Sequence, residues 1–177
     1  MSRPALVPLD RAADLAAVAD LYRRASDYVV LETGEPPGPG IAAEFFEDAP
    51  PGGPAGPLCH LGARLPDGRL AGIAAMAFGY PEATDAYIGL LLLAPDWRGQ
   101  GLGARMVARL EAEARVRGAD RLLVAVLEAN PRGHTFWRRL GFADHRVFPP
   151  AVIGKATHVR TRMVRALEPQ PSRPQRS

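Results

Sequence analysis

The sequence predicts an α+β domain. A mixed, mostly antiparallel central sheet of about seven strands is flanked by helices, in three α/β/α layers. Three observations carry this. Strand-like and helix-like segments follow in the order β-α-(α)-β-β-β-α-β-α-β-β, which is a meander, then one βαβ unit, then a hairpin. The apolar run Ile88 to Ala94 is continuous, as expected of a central strand. Leu102, Met106, Leu110 and Ala114 recur at a spacing of four, the stripe of a helix with one buried face.

Taken in order, "ALVPL" is a short first strand, and Asp10 can cap the helix after it. Leu15, Val18, Tyr22 and Ala25 give that helix its apolar side. "SDYVVLETG" reads as a short helix or turn followed by an extended piece. "EPPGPG" is a loop, "IAAEFFED" a helical turn or two, and "APPGGPAGP" a second loop. "LCHLGARL" and "RLAGIAAMAFGY" are strands flanking the hairpin turn "PDG". "TDAYIGLLLLA" is the third strand of the meander. Gly118 closes the helix that follows. "RLLVAVLE" is the next strand, and Pro131 suits the first position of the next helix, which ends at "LGF". "FADHRVF" and "THVRTRMV" are the last two strands. Residues 1–167 are expected to form one domain. The composition of "EPQPSRPQRS" predicts a disordered tail over 168–177.

Composition excludes several classes. The chain has 177 residues and 47% hydrophobic residues, enough for a core without disulfides or metals. Cys59 is the only cysteine, which suits a reducing cytoplasm and excludes a Cys-rich zinc site; no metal is expected. The first twenty residues hold no apolar leader, so no signal peptide is expected, and the longest apolar run is too short to span a membrane. Residues 1–97 hold 6 basic and 13 acidic residues, while 98–177 hold 16 basic and 6 acidic. Between Arg24 and Arg64 there is no Lys or Arg, but Asp27, Glu32, Glu35, Glu44, Glu47 and Asp48 lie there. The basic half suits a polyanionic ligand and the acidic stretch a cationic one, with scattered surface charge as the plainer reading. The arginines are spread without interleaved aromatics, so no nucleic acid is expected. Lys155, Arg160, Arg162 and Arg165 are one solvated face of the last strand or, alternatively, part of a homodimer surface.

"DWRGQGLGARMVARL" places Gly99, Gly101 and Gly103 at the entrance of a helix. The first N–H groups of a helix lack partners and carry partial positive charge, so they bind anions. Glycine lets a phosphate touch the backbone and permits positive φ. Gly99, Gln100, Gly101, Leu102, Gly103 and Ala104 therefore read as a pyrophosphate cradle, with Arg98 as an added donor. "GQGLGA" also matches the dinucleotide fingerprint GxGxxA of nicotinamide and flavin proteins. That fingerprint needs a strand running straight into the first glycine, whereas "APDWR" intervenes here. No "GK[ST]" follows, so there is no P-loop.

Arg98-x-x-Gly101-x-Gly103 after "YIGLLLLAPDW" resembles the acetyl-CoA motif of the GCN5-related N-acetyltransferase (GNAT) family. "NPRGHTFWRRLGF" resembles that family's later motif through Asn130, Leu140, Gly141 and Phe142. The element order agrees from Leu6 to about Val164. The resemblance implies the acyl-CoA N-acyltransferase fold and direct transfer of acetyl from acetyl-CoA to an amine. It implies that backbone groups of Leu91, Leu92 and Leu93 pair with the pantetheine arm, and that one N–H polarises the thioester carbonyl. Asn130 would contact the same arm, cap the helix at Pro131, or both. The family commonly has a tyrosine acid seven residues after this Asn, where this chain has Trp137, whose indole N–H donates but is no usable acid. His134, on the same helical face, is the candidate substitute. Glu128, at a strand end beside the slot, is the candidate base, with Asp85 and Glu82 as water-mediated alternatives. Tyr80, Tyr87 and His60 are further polar candidates.

The segment Ser26–Asp48 corresponds to the acceptor cover of the family. Tyr28, Phe45 and Phe46 there, with Asp85 and Tyr87, are the candidate acceptor-binding residues, suited to a small cationic amine or a peptide amino group. Two other classes compete: an acyl-CoA-binding module without catalysis, motivated by Trp137, and a nicotinamide- or flavin-binding protein through GxGxxA.

Overall fold

The computed structural model describes residues 3–50 and 58–167. The loop after "IAAEFFED" and the tail 168–177 lie outside the described residues for most or all of their length. The elements are β1 (Ala5–Pro8), α1 (Arg11–Arg24), α2 (Ser26–Thr33), α3 (Ile41–Glu47), β2 (Leu58–Arg64), β3 (Leu70–Phe78), β4 (Asp85–Leu93), α4 (Leu102–Val116), β5 (Arg121–Leu127), α5 (Pro131–Arg139), β6 (Ala143–Ile153) and β7 (Ala156–Ala166). Seven strands form one sheet in the order β1-β2-β3-β4-β5-β7-β6. Only β4 and β5 run parallel; every other neighbouring pair is antiparallel.

Two apolar clusters, one on each face, make the three layers. On one face Val18, Leu21, Ala25, Val29 and Phe45 of α1–α3 pack on Leu70, Ile73 and Leu92. On the other, the stripe Leu102, Met106, Leu110 and Ala114 of α4 is buried, with Met76, Ile88, Leu122 and Val124 beneath it and Trp137 and Phe142 beside it. The entry of α1 is fixed as the sequence suggests: the Asp10 carboxylate accepts from the Ala13 N–H, and Asp14 accepts back from the Asp10 N–H at 2.8 Å.

Two elements differ from the sequence expectation. "SDYVVLETG" has no extended piece; it is helical from Ser26 to Thr33 and ends on Gly34 at φ 75°. Burial of Val29 in the α1–α3 cluster outweighs the weak helix preference of two adjacent valines, and the Thr33 hydroxyl donates back to the Val29 carbonyl. β6 continues past "FADHRVF" through Pro149 and Pro150 to Ile153. It is an edge strand, and its pairing with β7 shifts between Phe148 and Ala151, so the prolines interrupt no central ladder.

Candidate functional site

The site begins where β4 and β5 part. They pair only over Asp85–Ile88 and Arg121–Val124. Beyond that β4 stays with β3 as far as Leu93, and β5 stays with β7 as far as Leu127, so a wedge opens between them. Gly89 is an extra residue in β4, between the Ile88–Met76 and Leu90–Ala75 pairs, and such a bulge bends its strand. The Ala94 N–H donates to the Ala71 carbonyl at 2.9 Å. Alternation along the ladder then turns the backbone of Leu92 toward β3 and that of Leu91 and Leu93 into the wedge. Of the three leucines expected to offer backbone groups, Leu92 is therefore engaged in the sheet.

β4 leads through a 3-10 turn, Pro95–Trp97, to the glycine loop and α4. Gly99 has φ 72° and Gly101 φ 79°, and a Cβ on either would meet nothing within 4 Å. These two give the loop its shape and leave open space before it. Gly103 differs. A Cβ there would lie 3.1 Å from the Phe136 ring, so this glycine lets α5 pack closely against α4. No side chain caps α4, whose N-cap residue is Gly101. Its first N–H groups, at Leu102, Gly103 and Ala104, are left to an anion. The Gln100 side chain folds back to donate to the Asp96 carbonyl.

Arg98 does not stand free over this cradle. Its Nε donates to the Leu93 carbonyl at 3.1 Å, and both terminal nitrogens donate to the Asp27 carboxylate of α2. A phosphate would have to compete for it. The guanidinium holds the Asp27 carboxyl below the usual carboxylate range.

On the far side of the wedge, the Asn130 carboxamide oxygen accepts from the Gly133 N–H at 2.9 Å, which makes it the N-cap of α5. Trp137 is buried edge-on between Phe136 and Phe142, with ring centroids 5.0 Å apart in both pairs. It is a core residue at the position where the resemblance expects an acid. His134 is half-buried, and its Nδ1 is buried without a hydrogen-bond partner.

The α1–α3 face covers the wedge. α2 lies across it, tied to the β4 side by the Asp27–Arg98 pair. At its other end the Lys155 N–H donates to the Thr33 carbonyl at 2.7 Å, and His158 Nε2 donates to the Glu32 carbonyl at 2.9 Å. The Glu128 N–H donates to the Val159 carbonyl at 2.9 Å and so ties the end of β5 to the same hairpin. Glu128 itself is exposed; with Pro150, Thr157, His158 and Val159 it lines an open depression of about 420 Å³.

On α2, Tyr28 and Glu32 stand one turn apart, both partly buried, and the charges of Tyr22, Asp48 and His158 act on this pair. Burial pushes the Glu32 carboxyl and both tyrosine hydroxyls up, and the neighbouring carboxylate charges push the tyrosines further. Glu32 and His158 escape sequence reasoning. The Tyr28/Glu32 spacing of four is visible only if the segment is taken as helix throughout, and His158 arrives from a hairpin 126 residues away.

The other acceptor candidates lie elsewhere. Asp85 is buried at the closed end of the β4–β5 pair, where its two oxygens accept from Arg121 Nε at 2.8 Å and from a terminal nitrogen at 2.7 Å. It is a structural ion-pair partner, as far from Leu91 as six strand residues, about 20 Å. Glu82 is exposed on the turn before it. Tyr87 packs edge-on against Tyr80, with Arg162 above its ring. Phe45 is a core residue, and with Phe46 it packs around His60 on β2, two strands from the wedge. Among the described residues no group of three His, Cys, Asp or Glu could hold a metal ion.

Comparison with known proteins agrees with this geometry. Residues 16–142 match the Acetyltransferase (GNAT) family. A 94-residue stretch is 28% identical to thialysine N-epsilon-acetyltransferase of Bos taurus, over 53% of this chain and 50% of that protein, so the chain matches about half the length of that curated relative. An acetyltransferase from Thermus thermophilus superposes with a TM-score of 0.71 at 25% identity, over 94% of this chain and 98% of that one. An aminoglycoside 6'-N-acetyltransferase complexed with coenzyme A superposes with a TM-score of 0.71 over 95% of this chain and 99% of that one; at 17% identity this speaks for the fold alone. With a splayed β4–β5 pair leading into an uncapped glycine-rich helix start, and a family match across most of its length, this chain belongs to the acetyltransferase (GNAT) family.

Proposed function

We propose that the protein is an acetyl-CoA-dependent N-acetyltransferase acting on a primary amine of a small, cationic acceptor. The observation that carries this is the wedge, in which strand backbone without a strand partner leads through a short 3-10 turn to an uncapped, glycine-rich helix start. The fit is specific: the space before Gly99 and Gly101 is open, and side chains there would fill it. Acetyl-CoA, when bound, supplies the acetyl group as a thioester.

The chain's own residues do the rest. The N–H groups of Leu102, Gly103 and Ala104 hold the pyrophosphate. The backbone of Leu91 and the N–H of Leu93 align the pantetheine arm, and one of these N–H groups polarises the reacting carbonyl. Asn130 holds the start of α5 while facing the same arm. Trp137 cannot give up a proton, so the departing thiolate would take one from solvent or from His134. His134 is the remaining candidate donor. Glu128 lies on the acceptor side as a solvated base. The name of the curated relative, a thialysine N-epsilon-acetyltransferase, supports an amine acceptor. The acidic stretch 25–63, which has no Lys or Arg, supports a cationic one.

The test is thiol release from acetyl-CoA with thialysine, spermidine, cadaverine and kanamycin, on wild type and Gly101→Glu. Amine-dependent release that the substitution abolishes is the expected result. Tight acetyl-CoA binding with no amine accelerating release would favour an acyl-CoA-binding module, the reading that the buried Trp137 motivates. Absence of acetyl-CoA binding would overturn both.

A further inference from the structure

One face of the sheet beside the wedge carries positive charge that no acid matches. Across β6 and β7, Arg146 stands opposite Arg162 and Phe148 opposite Arg160, so all four side chains leave the same face. The guanidinium carbons of Arg146, Arg160 and Arg162 lie 5.0, 5.9 and 5.0 Å from the centre of the Phe148 ring. Among the described residues none of the three forms an ion pair with an Asp or Glu. Arg162 is only 8% exposed, and the Nε atoms of Arg160 and Arg162 are buried without a hydrogen-bond partner. The sequence expectation of one solvated basic face therefore fails. Lys155 pairs with Glu35, Arg165 turns to α4 and pairs with Glu111, and Arg162 is buried.

Folding alone does not account for this cluster. Like charges directly opposite one another on two strands are unfavourable, and a buried cation without a counter-charge costs more. The Phe148 ring offers its π face but no negative charge, and three guanidinium groups share it. The position suits a ligand. Arg162 pairs with Ala125 and Arg160 with Leu127, the last part of β5 along the wedge. The Arg162 guanidinium reaches across β5 to 5.9 Å from the Tyr87 ring on β4. Two residues past Tyr87, Gly89 is exposed, and a Cβ there would meet nothing within 4 Å. His158, two residues before Arg160 and so on the same face, bonds the Glu32 carbonyl of α2. The arginines thus lie on the face that α2 covers. Two strand spacings, about 10 Å, separate β7 from β4, so one small molecule can touch both the wedge and the cluster.

We propose that Arg160 and Arg162, with Arg146 at the rim, bind an oxyanion carried by the acceptor, a carboxylate or a phosphate, while its amine faces the wedge. This rests on the N-acetyltransferase reading above and narrows its acceptor to an amine with a second, anionic end. A guanidinium presents paired N–H groups in a planar fork that matches two oxygens of such a group. The bound oxyanion supplies the counter-charge that the protein withholds. The acidic stretch 25–63 and the arginines then recognise opposite ends of one molecule, which fixes the end that enters the wedge. A plain diamine has no group for the arginines and meets their repulsion at its second end.

The experiment compares L-lysine with L-lysinamide, and O-phosphoethanolamine with ethanolamine, on wild type, Arg162→Gln and Arg160→Gln. Each pair differs by one oxyanion. Turnover is read as kcat/KM with saturating acetyl-CoA, and binding by titration calorimetry on the coenzyme A complex, which cannot react. Wild type should favour the anionic member of one pair by about 10- to 100-fold, the scale of charge-assisted hydrogen bonds. The pair that shows it tells carboxylate from phosphate. Each substitution should bring that ratio to within about threefold of one. Without ligand, Arg162→Gln should melt no lower than wild type, because an unmatched buried charge is removed. Arg160→Gln, at a half-buried position, reads the same ratio if Arg162→Gln fails to fold. A wild type that favours neither anion, or variants that keep the ratio, overturns the inference and leaves the transferase reading standing. Wild type that acetylates no amine yet shows the calorimetric preference overturns the transferase reading and leaves the oxyanion site standing.

Discussion

Replacing Gly101 tests the cradle directly. Gly101 sits at φ 79°, ψ −1° immediately before α4, and a Cβ there would touch nothing within 4 Å. Substitution therefore carries a backbone cost and no steric one. An L-residue in the left-handed region costs about 1–2 kcal/mol, and a β-branched residue is disfavoured further. If the loop of Gly101→Ala keeps its shape, the cost appears in stability. At about 2–4 °C per kcal/mol for a domain of this size, Tm should fall by about 2–8 °C with acetyl-CoA affinity unchanged. If the loop relaxes, Tm holds and acetyl-CoA binding weakens by about 5- to 30-fold. The two losses should sum to the same cost, and Gly101→Val should exceed Gly101→Ala. Thermal melts followed by circular dichroism, with titration calorimetry against acetyl-CoA, read both. Gly103→Ala is the control, because its Cβ meets the Phe136 ring at 3.1 Å without positive φ. There a gain of about 1 kcal/mol in helix preference opposes a small ring shift, and the net change should stay within about 1 kcal/mol. A Gly101→Val protein that melts with wild type and binds acetyl-CoA equally well would refute the reasoning.

Asp85→Asn should destabilise the fold by about 1–2 kcal/mol, less than breaking a fully buried pair because the Arg121 side chain is 37% exposed, and leave the acetyl-CoA KM unchanged. Lost turnover with an unchanged urea midpoint would instead return Asp85 to the chemistry. Asp27→Asn releases Arg98 from a pair that is largely solvated, with side-chain exposures of 37% and 58%, so the pair contributes no more than about 1 kcal/mol. Acetyl-CoA should bind up to about fivefold more tightly at low salt, with the gain fading as salt rises; weaker binding would show that Asp27 helps the cradle. Burial raises the Glu32 carboxyl, so the folded state holds that proton more tightly than the unfolded one. The associated stability is present below the unfolded carboxylate pKa, about 4.3, and is lost as pH rises through the folded value. Glu32→Gln should therefore unfold at higher urea than wild type at pH 8, with the difference closing near pH 4. A less stable variant at pH 8 would contradict the burial argument.

Local chemistry was legible where one short segment carries the whole cause. The α4 stripe, the Asp10 and Asn130 caps and the glycine loop each depend on residues a few positions apart, and the structure has them where the spacing predicts. The three glycines looked alike in the sequence, yet two serve backbone conformation and one serves packing against Phe136. Arg98 reads as a phosphate donor until Asp27, 71 residues earlier, is brought against it. Asp85 and Phe45 are polar and aromatic candidates by type, and burial in the closed end of the sheet and in the core gives them other work.

By itself the sequence determined the order of strands along the chain, the mixed sheet, the glycine-rich helix start and the family. These follow from periodicity, glycine and proline placement and short motifs, which act over one or two turns of chain. Only the tertiary structure decided which strand backbone faces the wedge, which arginine is already paired, and which acids of a uniformly acidic stretch are matched by a lysine or arginine. Those properties depend on partners far apart in sequence, and on a bulge at Gly89 that changes which way each later β4 residue points.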